Sequence, residues 1–309
     1  MKNLAVVFPL LLSMTAACAF EYGGEDGDED YDIGDLDLEG RVVNGRLING
    51  RLINGTSFSG YVVSVSLDHV LVNGTYRNGV SLVNSKFTSG AQTGSAFNGA
   101  VFDATLSDGK ILPLKIVGVR QAATDLWAYT VQYQTDVGWK AACTDNAGAS
   151  AESYPLKGVW NHAEGVAGGG ARTTPVGKFT FGCRVVGAIG KCVDFGYVPW
   201  RTKNGVSLLA YHDACVRAVR ADWCGDGRSA TKDGNLINLY DRQQVQVDTE
   251  TWPGEAEWSA AGATCLNKTR VATGQTRGEL FPECAKIKQK DVCGNSFTQA
   301  TSLVATEFL

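Results

Sequence analysis

Histidine is scarce. The 309-residue chain has three, which counts against a histidine-rich metal enzyme. No cysteines stand in C-x-x-C spacing and no histidines in H-x-H spacing, so a structural zinc site has no signature, and neither a metal nor a cofactor is expected. No clustered basic stripe is visible, which speaks against nucleic acid as a partner. Residues 41–140 contain no cysteine, and the stretch from Glu21 to Glu39 contains no base. The opening apolar run, Leu4 to Leu12, falls well short of the roughly 20 residues a spanning helix needs.

What is present describes an exported globular protein. Hydrophobic residues make up 44% and charged residues 19%, enough to bury a large core, and the length predicts two folded units. Lys2, the apolar run, and small residues at Ala16, Ala17, Cys18 and Ala19 predict a bacterial signal peptide over residues 1–18. Two cleavage chemistries fit. Ala17-Cys18-Ala19 suits ordinary signal peptidase. Thr15-Ala16-Ala17-Cys18 resembles a lipobox, with Thr15 where Leu is usual, and makes Cys18 the lipidation site.

The following segment favours the lipid. Glu21 to Glu39 holds ten acids and must stay extended and solvated, so residues 19–40 read as a tether. Asp26, Asp28 and Asp30 have the spacing of an EF-hand's first ligands. Tyr31 replaces the required Gly and Asp37 the bidentate Glu, so the run is at most a weak cation sponge. Of 28 bases and 32 acids, setting aside Lys2 and the ten tether acids leaves 27 and 22, a charge of +5, for residues 41–309. The acidic balance belongs to the tether.

Cys18 apart, eight cysteines remain: Cys143, Cys183, Cys192, Cys215, Cys224, Cys265, Cys284 and Cys293. An even number in an exported chain predicts disulfides, and their position divides the chain. Residues 41–140 form the expected β-rich domain. It opens on a period-five pattern (Val43, Ile48, Ile53, Phe58, with Asn-Gly closing three units) that resembles a pentapeptide coil, or short strands with Asn-Gly turns. Tyr61 to Leu67, Ile111 to Val119 and Leu126 to Tyr133 alternate as strands do. Ser107-Asp108-Gly109-Lys110 reads as a hairpin turn after Val101–Leu106. His69 stands alone and has no catalytic partner in sequence.

Residues 141–270 form the expected cysteine-rich unit and 271–309 a cysteine-containing extension. Residues 158–200 read as Gly-rich turns and short strands. One long helix is expected over about 206–223, stopped by Gly225. Leu208, Tyr211, His212, Cys215, Val219 and Trp223 share its apolar face; Asp213, Arg217 and Arg220 share a solvated face, with Asp213 and Arg217 at i,i+4. Nine helical residues rise about 13.5 Å, while bridged Cα atoms lie within about 7 Å. Cys215 and Cys224 therefore do not pair with each other; Cys183 and Cys192 are candidate partners for them. Trp160, Trp200, Trp223, Trp252 and Trp258 are expected in the core, with sugar stacking as the alternative.

Ala221-Asp222-Trp223-Cys224, with Trp for Tyr, resembles the motif that names the ADYC-domain proteins. Phe195-Gly196-Tyr197-Val198-Pro199-Trp200, Asn238-Leu239-Tyr240-Asp241 and Glu257-Trp258 with Cys265 are similar to that family as well, over about residues 140–270. The resemblance implies export, often with lipid anchoring, and assigns no catalytic residue. The overall expectation is mainly β with one prominent helix (α+β), in an outer-membrane lipoprotein or cell-surface protein, alternatively periplasmic or secreted. Its role would be non-catalytic binding or display, its partners an envelope polymer or protein and, through Cys18, a membrane.

An enzyme reading competes. Thr174-Pro175-Val176-Gly177-Lys178-Phe179 resembles an element of L,D-transpeptidases, whose Ser-His-Gly-Cys motif supplies a thiolate. Here His212 and Cys215 are one helical turn apart and form the alternative catalytic pair.

Overall fold

The structure, a computed structural model, describes residues 41–43, 52–54, 59–231, 235–270 and 292–308. The expectations for the signal peptide, the tether, Cys18, Cys284 and most of the period-five pattern lie outside them. The protein is mainly β with two α-helices among the described residues.

Six antiparallel strands close into a barrel. In spatial order they are Ser59–Ser66, Lys178–Cys183, Glu152–Lys157, Leu126–Thr135, Ile111–Ala123 and Val101–Leu106, and the last pairs back onto the first. The two-residue period of a strand explains the sides. Along Val101–Leu106, Phe102, Ala104 and Leu106 are buried while the residues between are part-exposed. The expected hairpin turn forms, with Gly109 at φ 82° and Asp108 Oδ1 accepting from the Lys110 amide at 3.0 Å.

Aromatic rings fill the barrel. Phe87 has no exposed surface and arrives on the strand Lys86–Ser89 of a small three-stranded sheet. Its ring centroid lies 4.8 Å from Phe102, 5.0 Å from Tyr129, 5.2 Å from Phe179 and 5.5 Å from Phe97. The boundary expected near residue 140 falls inside the barrel sheet. Strands from both sides of it pair, and Gly138–Ala141 adds to Leu126–Thr135. Of the period-five segment, Arg41–Val43 and Leu52–Asn54 are short antiparallel strands, paired with Leu236–Asp241 and Ser59–Ser66.

A second, five-stranded antiparallel sheet runs Arg41–Val43, Leu236–Asp241, Val304–Glu307, Gly254–Ser259, Gly262–Leu266. Helix α1 (Ala188–Asp194) packs on barrel strand Lys178–Cys183 and on helix α2 (Leu209–Arg220), and α2 packs on the second sheet. The sequence gives no warning of α1, because its third residue is Gly190, a poor helix former. That glycine is a packing requirement: a Cβ there would stand 2.2 Å from the Cys183 carbonyl oxygen. Helix α2 is shorter than expected. Gly225 does not end it; Ala221 does, in the left-handed region at φ 53°, an unusual place for a residue with a Cβ.

Truncating the barrel's central ring tests this packing. Phe87→Ala should lower unfolding free energy by about 3–5 kcal/mol, read from urea midpoints. Val176→Ala, at a position 99% exposed, should stay within about 0.5 kcal/mol.

Candidate functional site

The alternative catalytic pair is brought together and sealed. Cys215 is bridged to Cys192, Cα atoms 5.9 Å apart, so its sulfur carries no thiolate. His212 has no exposed surface; its Nε2 lies 3.0 Å from the Ile189 carbonyl oxygen, and Trp160 packs edge-on against the ring. Cys143 is bridged to Cys183 and Cys265 to Cys293, and Cys224 is disulfide-bonded as well. Cys183 therefore joins a barrel loop instead of the helix. Thr174 to Phe179 forms a turn into a barrel strand, ending on the buried Phe179. His69 is exposed, 3.2 Å from Asp103 and stacked on Tyr76.

The supposed solvated face of α2 is a correction: Arg217 and Arg220 are each only 3% exposed. The helix is covered on that side too, by loops that supply acceptors. Arg217 donates to the carbonyls of Gly169 at 2.7 Å and Ala260 at 3.2 Å, and pairs with Asp222. Asp213 pairs not with Arg217 but with Arg172, whose Nε and Nη2 donate to its two oxygens at 3.0 and 3.1 Å. Arg220 donates to the Gly227 carbonyl and faces Glu164 at 3.5 Å. Asp222 also accepts from the amides of Asp226 at 3.1 Å and Gly227 at 3.0 Å. Burial pushes the Asp222 carboxyl upward, and Arg217 opposes that shift.

Trp223 continues the corner. Its Nε1 donates to Glu255 at 3.2 Å; Glu255 pairs with Arg270 at 2.7 Å, and Arg270 donates to the Ala218 carbonyl at 2.6 Å. Two successive motif residues thus tie the end of α2 to a loop and to the second sheet. Trp160, Trp223 and Trp258 are buried; Trp200 and Trp252 are half-buried, with Trp200 bonded to Asp125 at 2.7 Å. Two of the other three family segments, 195–200 and 238–241, meet at Tyr197, whose hydroxyl donates to Asp241 at 2.9 Å.

A cavity of about 220 Å³ lies on the second sheet, lined among others by Tyr240, Glu257, Asn267, Ser296 and Glu307. The Cys265–Cys293 bridge ties its rim to the sheet. Glu257 accepts from Ser302 Oγ at 2.6 Å, Thr298 N at 2.8 Å, Thr298 Oγ1 at 3.1 Å and Gln299 N at 3.2 Å. Its carboxylate is saturated and holds the 298–302 loop. Glu307 accepts from Asn238 Nδ2 at 3.0 Å and, weakly, from Tyr240 at 3.4 Å. Burial raises the Glu307 carboxyl and pushes Tyr240 up to about 12. Glu257 lies near the sulfurs of Cys265 and Cys293, but the bridge leaves them no thiolate to ligate a metal. Sequence reasoning missed this site because Val304–Glu307, from the C-terminal extension, inserts in the middle of the sheet.

The molecule is therefore a disulfide-stapled, barrel-based β protein with a second sheet laid over a buried helix. The ADYC domain matches residues 94–272, more than half of the chain, and the protein belongs to the ADYC domain family. No curated protein and no solved structure matches it. The match begins within the barrel, upstream of the cysteine-rich segment that suggested the family. Barrel strand Ser59–Ser66 and sheet strand Val304–Glu307 complete the architecture from outside it.

Removing one partner of a buried pair leaves the other uncompensated. Asp222→Ala should cost about 3–5 kcal/mol in denaturant unfolding. Trp223→Phe, which keeps a ring and loses the indole donor, should cost about 1–3 kcal/mol.

Proposed function

We propose that this is an exported bacterial protein, anchored by a lipid on Cys18 and spaced from the membrane by residues 19–40. In this reading it acts at the cell envelope as a non-catalytic binding or display module. The observation that carries the reading is the Cys192–Cys215 bridge, which occupies the sulfur the enzyme alternative needs. Disulfides suit an oxidising compartment. Among the described residues, no helix is long and apolar enough to cross a membrane, so a lipid would be the simplest anchor. Outer membrane or cell surface is the favoured location, and the partner is an envelope polymer or protein held at the sheet cavity.

Two experiments test this. Cys18→Ala should move the protein from the membrane fraction to the soluble fraction; retention in the membrane would refute lipid anchoring. Incubated with purified peptidoglycan, wild type and Cys215→Ser should leave the same cross-link profile. A change that depends on Cys215 would restore the transpeptidase-like alternative.

A further inference from the structure

The sheet cavity has a surplus of acceptors. A carboxylate offers about four lone-pair sites, and Glu307 receives a good hydrogen bond from Asn238, a long one from Tyr240 and one from the Trp252 backbone, which leaves it still short of saturation. Its good donor is shared: Asn238 Nδ2 also donates to Asp248 at 2.7 Å, so two carboxylates divide one neutral amide. Asn238 Oδ1 and Asn267 Oδ1 are both buried with no hydrogen-bond partner. Tyr240 and Ser296 bond to each other at 2.6 Å. Among the described residues that line it there is no lysine or arginine.

That inventory sorts ligands by chemistry. Phosphates and carboxylates would meet Glu257 and Glu307 and be repelled. A neutral polyol would leave the charge uncompensated. A hard divalent cation wants six to eight oxygens and more than one available carboxylate, and Glu257 is already saturated. A guanidinium fork needs both oxygens of one carboxylate open, whereas Asn238 occupies one in Glu307. An ammonium is compact and brings three donors and one charge. The cavity, about 220 Å³, suits that group on a short aliphatic chain.

We propose that this cavity binds a primary ammonium group, with Glu307 as counter-ion and Asn267, Tyr240 and Ser296 as neutral partners. The inference rests on the binding-module reading and gives it a ligand class. The ammonium comes either from a free aliphatic amine or from a lysyl side chain of a partner protein.

Calorimetric titration of the full mature chain tests it, with 1,5-diaminopentane and an Nα-acetylated lysyl peptide as probes and 1,5-pentanediol and calcium chloride as comparisons. Saturable binding of an amine is expected, weaker by roughly tenfold or more in Glu307→Gln, as loss of a charge-assisted bond implies, and weaker also in Asn267→Ala. Tighter binding of the diamine identifies a free amine; tighter binding of the peptide identifies a partner protein. Absence of saturable amine binding, undiminished binding by Glu307→Gln, or equal binding of the diol or calcium would overturn the proposal. Circular dichroism and melting confirm that each variant is folded. Should Glu307→Gln misfold, Tyr240→Phe, which removes one hydroxyl, serves instead, with a several-fold weakening expected and none overturning the proposal. Failure here would leave the anchor and peptidoglycan results untouched, so the two readings fail separately.

Discussion

Helix α2 has almost no face left for water, and two guanidinium groups lie on the side that would normally be solvated. Buried Arg217 and Arg220 must each find acceptors inside the protein, because an unpaired buried charge costs several kcal/mol. The surrounding loops supply them as backbone carbonyls at close range. This explains the glycine density of residues 165–170 and 225–227. At Gly169, whose carbonyl accepts from Arg217, a Cβ would stand 2.0 Å from the Asp226 carbonyl oxygen. Side chains there would push away the backbone that solvates the arginines.

The family motif is the second half of the same solution. Asp222 neutralises Arg217 and gathers the following loop, while Trp223 reaches the Glu255–Arg270 pair under the second sheet. Buried ion pairs are weak stabilisers when compared with apolar replacements of equal volume. Their effect here is to fix one arrangement of helix, loop and sheet. The Cys192–Cys215 bridge joins α2 to α1, and α1 lies on the barrel, so the ordering propagates between layers. Against that rigid frame, the sheet cavity stands out for polar groups that the fold leaves partly unsatisfied.

Local signals in the sequence were reliable where the structure is local. The Val101–Leu106 hairpin and the alternation in Leu126–Thr135 follow from period and turn chemistry; the separation of Cys215 from Cys224 presupposes a helix running between them, whereas α2 ends at Arg220. The motif residues marked the family. The failures share a cause, namely contacts from distant chain. A helical wheel assigns charged residues to water, and it misplaced Arg217 and Arg220 because segments more than 40 residues away, at Gly169 and Ala260, and the loop that folds back after the helix cover them. Helix α1 was hidden by a glycine that tertiary packing demands. The cavity needs Val304–Glu307 between two strands some 50 and 70 residues earlier, which no short-range pattern announces.

The account depends on α2 being cross-linked into the interior through Cys215. Peptide mapping of the mature protein under non-reducing conditions tests this most directly. The account predicts linked peptide pairs joining Cys143 to Cys183, Cys192 to Cys215, and Cys265 to Cys293, and a further linked pair that contains Cys224. Recovery of the Cys215 peptide in free, alkylatable form, or joined to a cysteine other than Cys192, would contradict it.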